Sequence, residues 1–99
     1  MKRRELIAAI DQILLAEERY AVRLQERGDM GMAKLAWAAL GGIRQALKTT
    51  ATGDDETYAE RLGAALAEQR LDYLRYWDDD DGIGTSTFAR VLNLLEDGI

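Results

Sequence analysis

Hydrophobic residues recur every three or four positions in four segments of the chain, and this spacing predicts four helices. The segments span about residues 3–27, 30–48, 54–77 and 85–96. The chain contains no Pro, and its β-branched residues are scattered, so we predict an all-α fold. Because the connections are short, residues 1–99 should form one domain, a four-helix bundle-like arrangement of two helical hairpins.

Capping residues predict where these helices begin and end. Gly28 should adopt left-handed backbone after helix one, and Asp29 should cap helix two. Helix three should be capped by Asp54 or Asp55 or, in a later alternative, by Thr57.

Four consecutive aspartates, residues 78–81, should end helix three, because the carbonyls at a helix C-terminus disfavour negative charge. The cap of helix four is then expected among Thr85, Ser86 and Thr87.

The apolar stripes predict which side chains are buried. Glu17 interrupts the stripe of helix one, and in helix three Tyr73, Leu74 and Trp77 should lie in the core, whereas Leu71 and Tyr76 fall outside the stripe. Helix two has a side of small residues that permits close helix contact: Ala33, Ala36, Ala38, Ala39, Gly41, Gly42 and Ala46.

Composition excludes most kinds of chemistry. The chain has no His, and it has no Cys, so we predict no thiolate or imidazole catalysis, no cofactor and no enzymatic activity. The aspartate run does not fit a calcium-binding EF-hand, because aligning Gly82 with its glycine places Trp77 and Phe88 at ligand positions. We therefore predict no metal site either.

The sequence also bears on location. No apolar run approaches the length of a membrane span, and acidic residues interrupt the stretch that follows the basic start. We expect a cytoplasmic protein without a membrane partner.

Charge is divided unevenly along the chain. Residues 1–52 carry nine basic and six acidic side chains, a net charge of +3, whereas residues 53–99 carry four basic and twelve acidic ones, a net charge of −8. The acidic half should repel nucleic acid and attract basic surfaces. We therefore expect a basic protein partner, such as a nucleic-acid-binding effector complex, and no direct binding of nucleic acid.

The expected partner-binding site combines acidic residues at both ends of helix three with two aromatic residues, which are typical anchors of protein interfaces. Its residues are Asp54, Asp55, Glu56, Tyr76, Trp77, Asp78, Asp79, Asp80 and Asp81.

The sequence leaves two alternative functions open. Arg19, Arg23 and Arg27 recur every four residues along helix one and, with the basic N-terminus, would suit a small DNA-binding regulator. A structural dimerisation or adaptor module is the other alternative, and the small-residue side of helix two would be the interface of a homodimer.

Two resemblances accompany these patterns. Residues 20–46 resemble part of a tetratricopeptide repeat through Gly28, Asp29, Ala33 and Trp37, which implies a packed helical hairpin. In size and charge the chain also resembles small acidic inhibitors of phages and mobile elements of the anti-CRISPR type. That resemblance implies inhibition of a nucleic-acid-handling partner, with residues 78–81 standing in for phosphates.

Overall fold

The computed structural model describes residues 2–97, which form four α-helices. They are α1 (Arg3–Glu26), α2 (Met30–Thr49), α3 (Tyr58–Tyr76) and α4 (Ile83–Asp97). The predicted all-α class is confirmed, and the described residues contain no strand. Helices α2 and α4 each contact all the other helices, whereas α1 and α3 hardly meet. The bundle therefore has α2 and α4 across its middle, with α1 and α3 on opposite sides.

The turn between α1 and α2 follows the sequence prediction. Gly28 has a φ of +83°, and its N–H donates to the Gln25 carbonyl oxygen at 3.0 Å. The Asp29 N–H donates to the Leu24 carbonyl oxygen at 2.9 Å, which completes a Schellman motif. Asp29 occupies the N-cap position of α2, although its side chain makes no capping hydrogen bond. The turn thus depends on the glycine more than on the aspartate.

The small residues of α2 are used inside the protein. Ala36, Ala39 and Ala46 are fully buried, and a Cβ on Gly42 would lie only 3.0 Å from Cζ of Phe88 in α4. Three helices pack around α2, and small side chains let them approach closely. The chain's own helices thus cover most of this side, whereas Gly41 is exposed, and a homodimer interface here stays a prediction.

Helix α3 begins at Tyr58, later than a cap at either of the preceding aspartates would place it. The Asp54 carboxylate accepts the Glu56 N–H at 3.1 Å, and Arg61 donates to the Asp54 carbonyl oxygen at 2.8 Å. These bonds hold the segment in a turn. Thr57, the alternative, is at the N-cap position, but its side-chain oxygen accepts no capping hydrogen bond from a backbone N–H of the helix.

The core side of α3 carries Leu62, Leu66 and Tyr73, and the Tyr73 ring lies 5.7 Å from that of Phe88, centroid to centroid. Leu74 was expected in the core but is 43% exposed, because α2 and α4 cover only the opposite side of α3. No helix within residues 2–97 has both the length and the apolar content needed to cross a membrane.

Candidate functional site

The predicted acidic residues lie in two groups at opposite ends of α3. Residues 54–56 precede the helix, and residues 78–81 follow it. Since α3 has 19 residues, its axis is about 28 Å long at 1.5 Å per residue. The structure therefore does not bring the nine predicted residues together, and each group has to be considered as a separate surface.

The first group lies beside basic residues of the same chain, and one of its three acidic side chains, Asp55, pairs with one of them. Asp55 Oδ1 accepts a hydrogen bond from Arg3 Nη1 at 2.9 Å, and Arg3 also donates to the Ala51 carbonyl oxygen. The Arg3 guanidinium lies 4.3 Å from the centroid of the Tyr58 ring, within cation–π distance. Lys2 and Arg4 line a shallow hollow together with Arg3, Asp55 and Glu56. This end of α3 is thus mixed in charge and poorly suited to attract a basic partner.

In the second group, Asp79 caps α4. Its Oδ1 accepts the Ile83 N–H at 2.7 Å, and its Oδ2 accepts the N–H groups of Gly84 at 3.0 Å and Thr85 at 2.9 Å. The Thr85 hydroxyl donates to Oδ2 as well, at 2.9 Å. One carboxylate therefore satisfies the backbone donors left free at the start of a helix.

This arrangement corrects the predicted start of helix four. The helix begins at Ile83 rather than near Thr85, and none of the three hydroxyl residues expected to cap it does so. The hydroxyls of Ser86 and Thr87 instead donate back to the Ile83 carbonyl oxygen, inside the helix.

The environment of Asp79 shifts two pKa values. Desolvation by itself would raise the pKa of Asp79, but the hydrogen bonds from Thr85 and the other donors outweigh it and lower that pKa. Burial, reinforced by the nearby Asp79 carboxylate, raises the pKa of Tyr73 well above its ordinary value. Asp79 therefore stays ionised and Tyr73 stays protonated at neutral pH.

Replacing Asp79 with Ala is expected to lower the free energy of unfolding by about 1–2 kcal/mol at pH 7, the usual effect of losing a helix cap. Because the folded-state pKa is lowered, the contribution of the carboxylate is complete above its unfolded pKa of about 3.9 and is lost as the pH falls below it. Urea unfolding at pH 7 and at pH 3 measures both effects. The control is Asp78→Ala in the same loop, and equal destabilisation by the two variants would contradict the capping role.

The remaining members of the second group are free to contact a partner. Asp78, Asp80 and Asp81 are exposed, and none of them forms an ion pair with any residue in the range 2–97. Tyr76 is 84% exposed, as the sequence predicted. Together with Trp77, these residues form what we call the acidic-aromatic surface.

Trp77 was predicted to lie in the core, and this prediction is wrong, since its side chain is 37% exposed. Helix α3 ends at Tyr76, and Trp77 has extended backbone, with φ −121° and ψ 132°. It has therefore left the helical periodicity that would have placed it above Tyr73.

A hollow of about 190 Å³ lies between α2 and α3 beside the acidic-aromatic surface. Gly41 and Gly42 leave it open on the α2 side, and Asp72 borders it on α3 together with Tyr76 and Trp77. Sequence reasoning missed this hollow, because it treated the two glycines as a means of close helix packing only. Gly42 does have that role, but Gly41 is exposed and a Cβ there would meet no atom within 4 Å.

A buried ion pair also escaped prediction. Glu17 is 3% exposed, and its Oε2 accepts a hydrogen bond from Arg90 Nη2 at 2.8 Å, which joins α1 to α4. The signal for it was the acidic residue within the apolar stripe of helix one. Its partner could not be identified because it lies 73 residues away along the chain.

The basic row proposed for DNA binding is only partly free. Within the described residues Arg19 and Arg23 make no ion pair, whereas Arg27 lies 3.9 Å from Asp29 and Arg44 pairs with Glu18 on the neighbouring face. Arg3, at the basic N-terminus, is turned towards the loop before α3.

Taken together, the fold and this surface define a small four-helix protein with an acidic-aromatic surface at the C-terminal end of α3. Comparison of the chain with protein families, curated proteins and solved structures found no match. Across residues 2–97, no three carboxylates converge closely enough to hold a metal ion.

Proposed function

We propose that the chain is a non-enzymatic, protein-binding inhibitor whose acidic-aromatic surface binds a basic protein that handles nucleic acid. The observation that supports this most is a tyrosine side chain, 84% exposed, next to three exposed aspartates that form no ion pair with residues 2–97. Exposed aromatic residues are the commonest anchors of protein interfaces.

The two kinds of residue have different roles in such an interface. The aspartates attract the basic partner over a distance and increase its rate of association. Tyr76 and Trp77 then bury apolar area when the complex forms, which slows dissociation. The neighbouring hollow suits an Arg or Lys side chain of the partner, because aromatic rings and the Asp72 carboxylate lie around it.

Inhibition follows if the basic site of the partner is the one that holds nucleic acid. Asp78, Asp80 and Asp81 would occupy the positions of successive phosphates, and the chain would exclude the nucleic acid by competition. This is the behaviour implied by the resemblance to anti-CRISPR proteins. The fourth aspartate, Asp79, takes no part in it because its carboxylate is bound to the start of α4.

The test is a pull-down from a nuclease-treated prokaryotic lysate with three forms of the chain. The first is native, and the second carries Asn at Asp78, Asp80 and Asp81 but keeps the helix cap. The third is a control that loses the same number of exposed charges elsewhere, at Asp11, Glu60 and Glu96. We expect the native chain and the control to capture the same basic protein, and the second form to lose it.

Three further measurements address the rest of the proposal. Tyr76→Ala should raise the Kd at least about thirtyfold, the effect of losing a hot-spot residue of about 2 kcal/mol. Gly41→Leu should also block binding, because a Cβ at this position meets no atom within 4 Å and the leucine side chain would occupy the hollow. Duplex DNA or guide RNA added to the captured complex should displace the chain.

Other outcomes contradict the proposal. Equal capture by the native chain and the Asn variant would show that the three aspartates do not contribute to binding. A complex that is unaffected by nucleic acid would exclude competitive inhibition. Salt-dependent binding of the purified chain to duplex DNA would instead favour the basic row of α1.

A further inference from the structure

The outer side of α3 carries an apolar stripe with the spacing of a coiled coil. Ala64, Ala67, Leu71 and Leu74 are separated by three, four and three residues, which are the alternating a and d positions of a heptad. All four side chains are exposed, Leu71 by 54% and Leu74 by 43%. We call these four residues the α3 seam.

No other element among residues 2–97 covers the α3 seam. At 100° per residue, Leu71 points almost directly away from Leu62, which lies on the core side. The helices that contact α3 are α2 and α4, and they lie on that core side. The seam thus extends over eleven residues, about 16 Å of helix, and no helix of the described part of the chain packs on it.

The charges beside the seam indicate what would cover it. If a second copy packed on it in parallel and in register, Arg70 of one copy would lie next to Arg75 of the other, and this repulsion would occur twice. In an antiparallel pair with Leu71 opposite Leu74, Glu68 of each copy faces Arg75 of the other. The seam is therefore complementary in charge to its own antiparallel copy.

The contacts of Arg75 within one chain permit this exchange. Its Nη1 lies 3.4 Å from Asp72 Oδ1, and both side chains are more than half exposed. An ion pair so exposed contributes little to stability, so the guanidinium can turn towards a neighbouring copy at small cost.

We propose that two copies of the chain associate through the α3 seam, with their α3 helices antiparallel and the twofold axis between Leu71 and Leu74. This inference is independent of the proposed function, because Tyr76 and the hollow lie on another side of α3. Because α3 ends at Tyr76, the two helices overlap in this register only over residues 69–76, about two helical turns, so Leu71 and Leu74 make the contact and the two alanines lie beyond it. This contact is smaller than the roughly 800 Å² per partner of a standard interface, so the dimer should be weak, with a Kd on the order of 10–100 μM.

Sedimentation equilibrium from about 10 μM to about 1 mM tests the proposal, since this range brackets the expected Kd. The mean mass should rise from the 11.1 kDa of one chain towards twice that value. Leu71→Lys should raise the Kd about tenfold or more, because a charge replaces a buried leucine. Leu15→Lys is the matched control, on an α1 leucine that is 43% exposed, and it should not change the Kd.

Charge reversal tests the orientation. Glu68→Arg and Arg75→Glu should each weaken the homodimer, because each places like charges opposite one another. A mixture of the two variants should form a heterodimer more tightly than either variant associates with itself, and the double variant should recover the native Kd. The far-ultraviolet circular dichroism of each variant shows whether it remains folded.

Three results would overturn the proposal. They are a monomer up to about 1 mM, a dimer that Leu71→Lys and Leu15→Lys affect equally, or charge variants that show no preference for the mixed pair. A dimer lost through Leu15→Lys alone would place the interface on α1 instead.

Discussion

Replacing Gly84 with Ala is expected to destabilise the protein by about 3 kcal/mol, at the upper end of the usual effect of overpacking a core. A Cβ on Gly84 would overlap the hydroxyl and ring carbons of Tyr73, and even the third of these contacts, to Cε2, would be only 2.9 Å. Tyr73 cannot move away easily, because it is 5% exposed and packs against Phe88. The backbone of Gly84 is held too, by its hydrogen bond to Asp79.

Urea unfolding followed by circular dichroism measures this effect, and Gly41→Ala is the matched control. A Cβ on Gly41 meets no atom within 4 Å, so that variant should be stabilised by about 0.5–1 kcal/mol through the higher helix propensity of Ala. In a Tyr73→Phe background the cost of Gly84→Ala should decrease, since the hydroxyl is gone. An unchanged stability of Gly84→Ala would show that the ends of α3 and α4 do not pack as described.

Replacing Arg90 with Met is expected to cost about 2–3 kcal/mol, because it leaves the Glu17 carboxylate buried without its counter-charge. Removing one partner of a fully buried pair typically costs about 3–5 kcal/mol, and we reduce this figure because the Arg90 side chain is 50% exposed. The opposite change, Glu17→Leu, should cost much less, because Arg90 can then be hydrated.

Replacing both partners, Glu17→Leu with Arg90→Met, should restore most of the stability, since a buried ion pair is rarely more stable than a well-packed apolar one. A double-mutant cycle based on urea unfolding measures the coupling between them. Arg19→Met, at an exposed arginine outside any ion pair among the described residues, is the control for losing a positive charge. Equal destabilisation by Arg90→Met and Glu17→Leu would contradict the prediction, because it would show that the deeper burial of the Glu17 charge does not affect the stability.

Both predictions concern contacts of α4, and this is where the sequence was least informative. Residues 78–81 are all aspartates, and nothing in the local sequence distinguishes Asp79 from the others. Asp79 becomes the cap because the loop places its carboxylate against the backbone N–H groups of Ile83, Gly84 and Thr85. Predicting which aspartate is the cap therefore requires knowing where α4 lies relative to the end of α3.

Part of the candidate site could be predicted. Tyr76 was correctly predicted to be exposed, as a residue turned about 60° around the helix axis from Tyr73. Trp77 could not be placed in the same way, since its position depends on α3 ending one residue earlier. Predicting the hollow at Gly41 requires knowing the distance between α2 and α3, which the tertiary structure sets.

The sequence by itself determined the number of helices, their approximate bounds and the turn at Gly28. These features depend on interactions between residues close together in the chain, such as 3.6-residue periodicity and a left-handed glycine. Only the tertiary structure decided that most of the small residues of α2 are covered within one chain, that Glu17 pairs with Arg90, and that the two acidic groups lie at opposite ends of α3. The reason is physical: these contacts join residues far apart in the chain, and packing of whole helices selects them.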